Sequence, residues 1–247
     1  MDFGLGGVTA LVSGATRGIG KAIACALAAE GARVAVVART GEDVRRVADE
    51  LGGLPLVADL TTEEGCRAAV DAAGDVQVLV NSLGLRAGSS WADTGVPELQ
   101  AAMAGNLYPA ARLSLLALPA MRRAGWGRIV VISSLFGREA GGAPAYNAAK
   151  AAEISFVASL GREVGAEGVT VNCVAPGSVI FEGGSWYRRQ QADPEGIAAF
   201  VRRELPLGRF GTPEEVASVV AFLCSRAAGF VNAACWAVDG GQSRSNI

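Results

Sequence analysis

The chain contains no histidine among its 247 residues. That absence removes Ser-His-Asp chemistry outright, and no Gly-x-Ser-x-Gly elbow occurs either. A zinc site would need cysteines and carboxylates alone, and the five cysteines (Cys25, Cys66, Cys173, Cys224, Cys235) are scattered with no C-x-x-C pair. Their odd number and dispersion fit reduced thiols rather than a disulfide framework. Charged residues make up 19% and the net charge is -2, which argues against nucleic acid or an anionic membrane as partner. No run approaches the roughly 18 apolar residues of a membrane span, and "MDFGLGGVTALVSGA" lacks a basic region followed by a long apolar stretch. The expectation is a cytoplasmic protein. Acid–base work must fall to Tyr, Lys, Asp, Glu or Cys.

What the chain does have is apolar substance, 51% of it hydrophobic. Short β-branched runs recur at 8–13, 33–38, 54–58, 76–81, 128–134, 169–175 and 234–239. Most are continuous rather than alternating, as in a parallel sheet covered on both faces. Helical stretches such as "GKAIACALAAEG" and "AAEISFVASLGREVG" lie between them. Thr61 with Glu64, and Thr212 with Pro213 and Glu215, read as helix starts. Strand–helix alternation from end to end predicts an α/β doubly wound Rossmann fold. It would be a parallel sheet of about seven strands with helices on both faces, in a single domain over 1–247. The exception is 177–206, a long Gly-, Trp- and Arg-bearing excursion after the sixth strand, read as a substrate lid over about 178–206.

The first strand runs into "SGATRGIG", where Gly14, Gly18 and Gly20 precede a helix. Glycines let backbone approach a pyrophosphate, and the helix start offers free N–H groups. At the end of the second strand, where a carboxylate would bind the ribose of NAD, stand Ala38, Arg39 and Thr40. With Arg39 and Arg17 available for a 2′-phosphate, the expected cofactor is NADP(H). In "AYNAAK", Tyr146 and Lys150 are four residues apart and share one helix face. Moving a phenol from its free pKa of about 10 to about 7 takes roughly 4 kcal/mol. One ammonium at about 4 Å is worth roughly that at an effective dielectric near 20, while desolvation opposes it.

Taken together, these motifs resemble the short-chain dehydrogenase/reductase family over essentially the whole chain, and most nearly its 3-oxoacyl-carrier-protein reductase-like ketoreductases. "SGATRGIG" stands for the Thr-Gly-x-x-x-Gly-x-Gly motif with Ser13 in first place, "NSLG" for Asn-Asn-Ala-Gly, "YNAAK" for Tyr-x-x-x-Lys, and "VDGG" for the family ending. The resemblance implies cofactor binding by Gly14, Thr16, Arg17, Gly18, Ile19, Gly20, Arg39, Asp59, Leu60, Asn81, Gly84, Tyr146, Lys150, Pro176, Gly177 and Val179. It implies a catalytic set of Asn106, Ser134, Tyr146 and Lys150, with Ser133 as the other candidate serine. Tyr146 would then be general acid, Ser134 would bond the carbonyl oxygen, Lys150 would grip the ribose, and Asn106 would hold a water leading to solvent. It also implies a dimer or tetramer built on helices near 97–124 and 146–164.

The resulting expectation is an NADPH-dependent carbonyl reductase acting on a small-molecule carbonyl or alcohol, free or carrier-bound. Phe136, Phe181, Trp186 and Tyr187 are candidate pocket walls. Arg188, Arg189, Arg202 and Arg203 are either an anion handle or a solvated face. Two other readings stay open: the same cofactor used on an imine, a dehydration or an epimerisation, or a nicotinamide-binding sensor without turnover.

Overall fold

The computed structural model describes residues 3–246; the outermost positions of the 1–247 span read from the sequence lie outside it. Strands and helices alternate as β1 (Thr9–Ser13), α1 (Gly18–Ala29), β2 (Arg33–Ala38), α2 (Gly41–Leu51), β3 (Leu54–Val57), α3 (Glu63–Ala73) and β4 (Val78–Asn81). Then come α4 (Val96–Gly105), α5 (Leu107–Ala124), β5 (Gly127–Ile132), α6 (Pro144–Val164) and β6 (Val169–Pro176). The last elements are α7 (Ser185–Ala192), α8 (Pro194–Glu204), α9 (Pro213–Cys224) and β7 (Cys235–Val238). All seven strands pair in parallel, in the order β3-β2-β1-β4-β5-β6-β7. This is the doubly wound Rossmann arrangement expected from the sequence.

The continuous apolar runs explain the layers. Side chains alternate between faces along a strand, so Val12, Val36 and Val130 enter one core while Leu11, Val37 and Val131 enter the other. The first core takes α1, α2 and α9 through Ile23, Leu27, Val47 and Val220; the second takes α3, α5 and α6 through Ala69, Leu113 and Val157. With both faces covered, neither can be polar. Pro55, which has no N–H for a ladder, sits in β3 at the sheet edge, where that loss is tolerated.

Two local expectations shift. The cap of α3 is Thr62, whose hydroxyl accepts from the Gly65 N–H at 3.0 Å. Thr61 instead turns back to Asp59, donating through its N–H at 3.0 Å and its hydroxyl at 2.8 Å. The helix near 97–124 is two helices, broken at Asn106, whose φ of -126° and ψ of -73° leave the helical region. The 178–206 segment is mostly α7 and α8, which share a small core of Ile197, Leu205 and Phe210 with Trp186 and Phe200 packed on it. Trp186 stacks on Phe200 at 4.6 Å between ring centroids.

Candidate active site

Strand order reverses where β1 meets β4, and ligand crevices of doubly wound sheets open beyond the carboxyl ends of strands at such a point. Here a cleft of about 720 Å³ opens at that end. It is lined by the residues that follow β1 to β6 and roofed by Phe181, Ser185 and Trp186 of the excursion. Of the site residues read from the sequence, Gly14, Thr16, Arg17, Ile19, Gly20, Arg39, Asp59, Leu60, Gly84, Ser134, Tyr146, Lys150, Pro176, Gly177 and Val179 all line it. Gly18, Asn81 and Asn106 stand outside the lining.

At one end the chain turns from β1 into α1. A Cβ on Gly20 would lie 2.2 Å from the Gly14 carbonyl oxygen, and one on Gly14 would lie 2.8 Å from the Ser82 oxygen. These contacts force glycine at both places and bring the start of α1 hard against β1. Gly14 and Gly18 also have positive φ, 65° and 52°. The Phe181 ring lies against Gly18, 2.6 Å from where a Cβ would be. Arg17 and Arg39 are exposed and make no ion pair among the described residues. Asp59 is held below its ordinary pKa by the two bonds from Thr61.

At the other end α6 begins at Pro144, whose missing N–H costs nothing in a first turn. Tyr146 is half-buried there, and the Lys150 nitrogen lies 5.6 Å from its ring centroid. The Arg86 guanidinium, from the loop after β4, lies 5.3 Å from the same centroid. Ser133 and Ser134 part company in their contacts. The Ser133 hydroxyl donates to the Lys150 carbonyl at 2.8 Å, an approach that a Cβ on Gly137 would block. Among the described residues the Ser134 hydroxyl makes no donated bond and accepts from the Phe136 N–H at 3.2 Å. The Asn106 amide is fully engaged: its nitrogen donates to the Leu85 and Ala102 carbonyls at 2.9 and 2.7 Å, and its oxygen accepts from the Leu85 N–H at 3.2 Å. Its side chain therefore ties down the loop after β4 rather than entering the cleft. Asn147 does the same for the 136–141 loop, donating to the carbonyls of Phe136, Glu139 and Gly141.

Lys150 is the most constrained group. Its ammonium donates to the Ile132 carbonyl at 2.9 Å, the Leu83 carbonyl at 3.3 Å, and both carboxylate oxygens of Glu153 at 3.1 and 3.0 Å. Both side chains are only 2% exposed. Burial is the largest influence on each and opposes charge on both. For Lys150, Glu153 and Tyr146 outweigh it and hold the ammonium above its ordinary value. For Glu153 burial prevails over Lys150, and the carboxyl lies above its ordinary range. The pair thus releases protons later than either group in water. Sequence reading missed Glu153, though a signal exists. It falls on the stripe of Ala149, Val157, Leu160 and Val164, a lone carboxylate on the buried face of α6. Arg86 offered no such signal, because its place over Tyr146 is set by a loop.

The cleft fits the dinucleotide expected from the sequence on two observations. The glycine turn is stripped of side chains at the start of a helix. Beside it, Asn81 is buried with both polar side-chain atoms lacking a partner among the described residues, and such atoms call for one. No group of histidine, cysteine and carboxylate side chains able to hold a metal occurs among the described residues.

Comparison with known proteins agrees with this geometry. A protein-family model described as enoyl-(acyl carrier protein) reductase matches residues 14–243. The 3-oxoacyl-[acyl-carrier-protein] reductase FabG of Escherichia coli (strain K12) is 36% identical over 243 residues, covering 96% of this chain and 97% of that one. FabG of Aquifex aeolicus (strain VF5) is 32% identical over 253 residues, covering 98% and 100%. Among solved structures, L-sorbose reductase from Gluconobacter frateurii, complexed with NADPH and L-sorbose, superposes with a TM-score of 0.91 at 29% identity, covering 99% of this chain and 100% of that one. With its fold, its glycine turn and its Tyr-x-x-x-Lys helix, the chain belongs to the short-chain dehydrogenase/reductase family of oxidoreductases.

Proposed function

We propose that the protein is an NADP(H)-dependent carbonyl reductase, a ketoreductase working as one catalytic domain with the 178–206 segment as its lid. The observation that supports this most is that Tyr146, Lys150 and Ser134 line the same cleft as the glycine turn and Arg39. One solved relative is a reductase complexed with NADPH, and the two FabG relatives are 3-oxoacyl-[acyl-carrier-protein] reductases.

When bound, NADPH supplies the hydride that reaches the carbonyl carbon. Gly14, Thr16, Gly18, Ile19 and Gly20 would hold its pyrophosphate, Arg39 with Arg17 its 2′-phosphate, and Asp59 and Leu60 its adenine. Asn81, Gly84, Pro176, Gly177 and Val179 would hold the nicotinamide end. Tyr146 donates the hydroxyl proton to the carbonyl oxygen as negative charge grows there. Ser134, whose hydroxyl donates to no group among the described residues, bonds the same oxygen and stabilises that charge. Lys150 keeps a positive charge beside the phenol, and Asn106 acts by fixing the loop that carries Leu85 and Arg86.

Support for an anionic handle on the substrate comes from Arg86, which lines the cleft. Arg188, Arg189, Arg202 and Arg203 do not line it. A carbonyl compound with a carboxylate or a carrier-borne phosphate suits this end. The protein works in the cytoplasm as a homo-oligomer; Tyr108 and Leu115, 47% and 58% exposed on α5, support an assembly through that helix.

Tyr146→Phe keeps the ring and removes the donor. Turnover of an accepted ketone should fall by about 10²–10⁴-fold, with NADPH binding still detectable by fluorescence. Undiminished turnover in that variant rejects Tyr146 as the acid. Failure of the parent to reduce any of a panel of ketones, with an imine panel reduced instead, rejects the carbonyl reading.

A further inference from the structure

We infer that Glu153 is a positioning residue, a buried counter-ion that pins the Lys150 ammonium and offsets its charge at the nicotinamide end of the cleft. The inference rests on the proposed nicotinamide-dependent reading and adds a residue to it.

Stability alone does not account for this carboxylate. Taking two charges out of water is expensive, and an apolar pair of the same volume is often as stable or more so. The stripe on which Glu153 lies is otherwise apolar or small apart from Lys150 itself. Nor does Glu153 hold anything else, since its two oxygens bond only the Lys150 nitrogen among the described residues. Its effect is therefore exerted through Lys150. That ammonium is held between the carbonyls of Leu83, just past β4, and Ile132, at the end of β5, with all of its donors committed. An ammonium so placed is fixed in position, and its field is that of a close ion pair rather than a bare cation.

The titratable groups facing this pair are few. Tyr146 lies one turn earlier on α6, and Cys173 faces it from β6. The Cys173 thiol is pushed well up by its hydrogen bond with Cys235 of β7 and by burial. Cys173 thus stays neutral, and Arg138 acts on Cys235 rather than on the pair. The field at this end of the cleft is set by Lys150 and Glu153, with Arg86 above Tyr146.

A consequence separates this role from simple packing. The oxidised nicotinamide ring carries a positive charge that the reduced ring lacks. A negative charge nearby favours binding of NADP⁺ relative to NADPH, and removing it does the reverse. The quantity to measure is the ratio of the dissociation constants for NADP⁺ and NADPH, by fluorescence and competition, with no turnover required. In Glu153→Gln near neutral pH, with Lys150 still protonated, the ratio should rise at least about fivefold. Glu153→Asp, which keeps the charge, should restore it to within about twofold of the parent. A parent-only measurement guards against misfolding of the variants. Lowering the pH should raise the parent ratio as Glu153 takes up its proton, because the cofactor 2′-phosphate titrates alike in both ligands and cancels. An unmoved ratio, or both affinities weakened in parallel, overturns the inference. A moved ratio in a protein that reduces no carbonyl keeps Glu153 in this role while the reductase reading falls. Turnover with an unmoved ratio means the opposite, and binding of neither cofactor overturns both.

Discussion

Gly20 shows how one absent side chain fixes a site. Its neighbour across the turn is backbone, the Gly14 carbonyl, which has no rotamer to move aside. Gly20→Ala should therefore cost about 1–3 kcal/mol, the range of overpacking in a close-packed region. Gly6, which has nothing within 4 Å of an added Cβ, is the control. Denaturant unfolding of the two variants would check this, and equal stability would refute it. At this scale the sequence is informative wherever backbone demands a residue type. The glycine turn and the i,i+4 pair of Tyr146 and Lys150 were both legible. The different hydrogen bonding of Ser133 and Ser134 was not legible. It depends on which hydroxyl finds the Lys150 carbonyl, 17 residues away in sequence.

Among the elements, α9 has the most explicit start signal. The Thr212 hydroxyl accepts from the Glu215 N–H at 3.3 Å, the Glu215 carboxylate accepts from the Thr212 N–H at 2.9 Å, and Arg209 bonds both Glu215 oxygens. Thr212→Ala should cost about 1 kcal/mol of stability. The hydrogen bond from Arg209, then that from Thr212, hold the Glu215 carboxyl down at about 2. Its folded value is depressed, so its contribution is present above the ordinary carboxylate pKa of 4.5 and is lost as pH falls toward about 2. Glu215→Gln should accordingly lower the melting temperature at neutral pH and leave it unchanged near the acid end of that window. A constant difference across the window would exclude the linkage. The same capping logic misplaced α3 by one residue. Thr61 and Thr62 are both competent caps, and Asp59 claims the first. The break at Asn106 escaped the sequence because its helical pattern continues through it, and the cause is the distant Leu85 backbone.

For the whole molecule, ligand binding and stability are one quantity. A ligand at 100 times its Kd that binds only the folded state adds about 2.7 kcal/mol. For a chain of this size that is roughly 5–10 °C in melting temperature. NADPH should produce such a shift, and NADH at the same concentration a smaller one, because Arg17 and Arg39 are exposed at the cleft and form no ion pair among the described residues. Equal shifts would mean that neither arginine reads the 2′-phosphate. The excursion matters at this scale too. The small core of α7 and α8, centred on Ile197, Leu205 and Phe210, packs against Trp186, which lines the cleft beside Phe181, whose ring lies against Gly18.

The sequence by itself determined the layered fold, since unbroken apolar strands can be satisfied only by burial on both faces. It also determined the phosphate-ready turn and the Tyr–Lys helix face, which are local properties of spacing and backbone. Tertiary structure alone decided the placement of Arg86 over Tyr146, the different hydrogen bonds of the two serines, and the engagement of Asn106 with the loop after β4. It also decided the burial of Lys150 against Glu153. These depend on which groups from β4, β5, β6 and α6 converge at one point, and a buried charge takes its meaning from the partners that surround it.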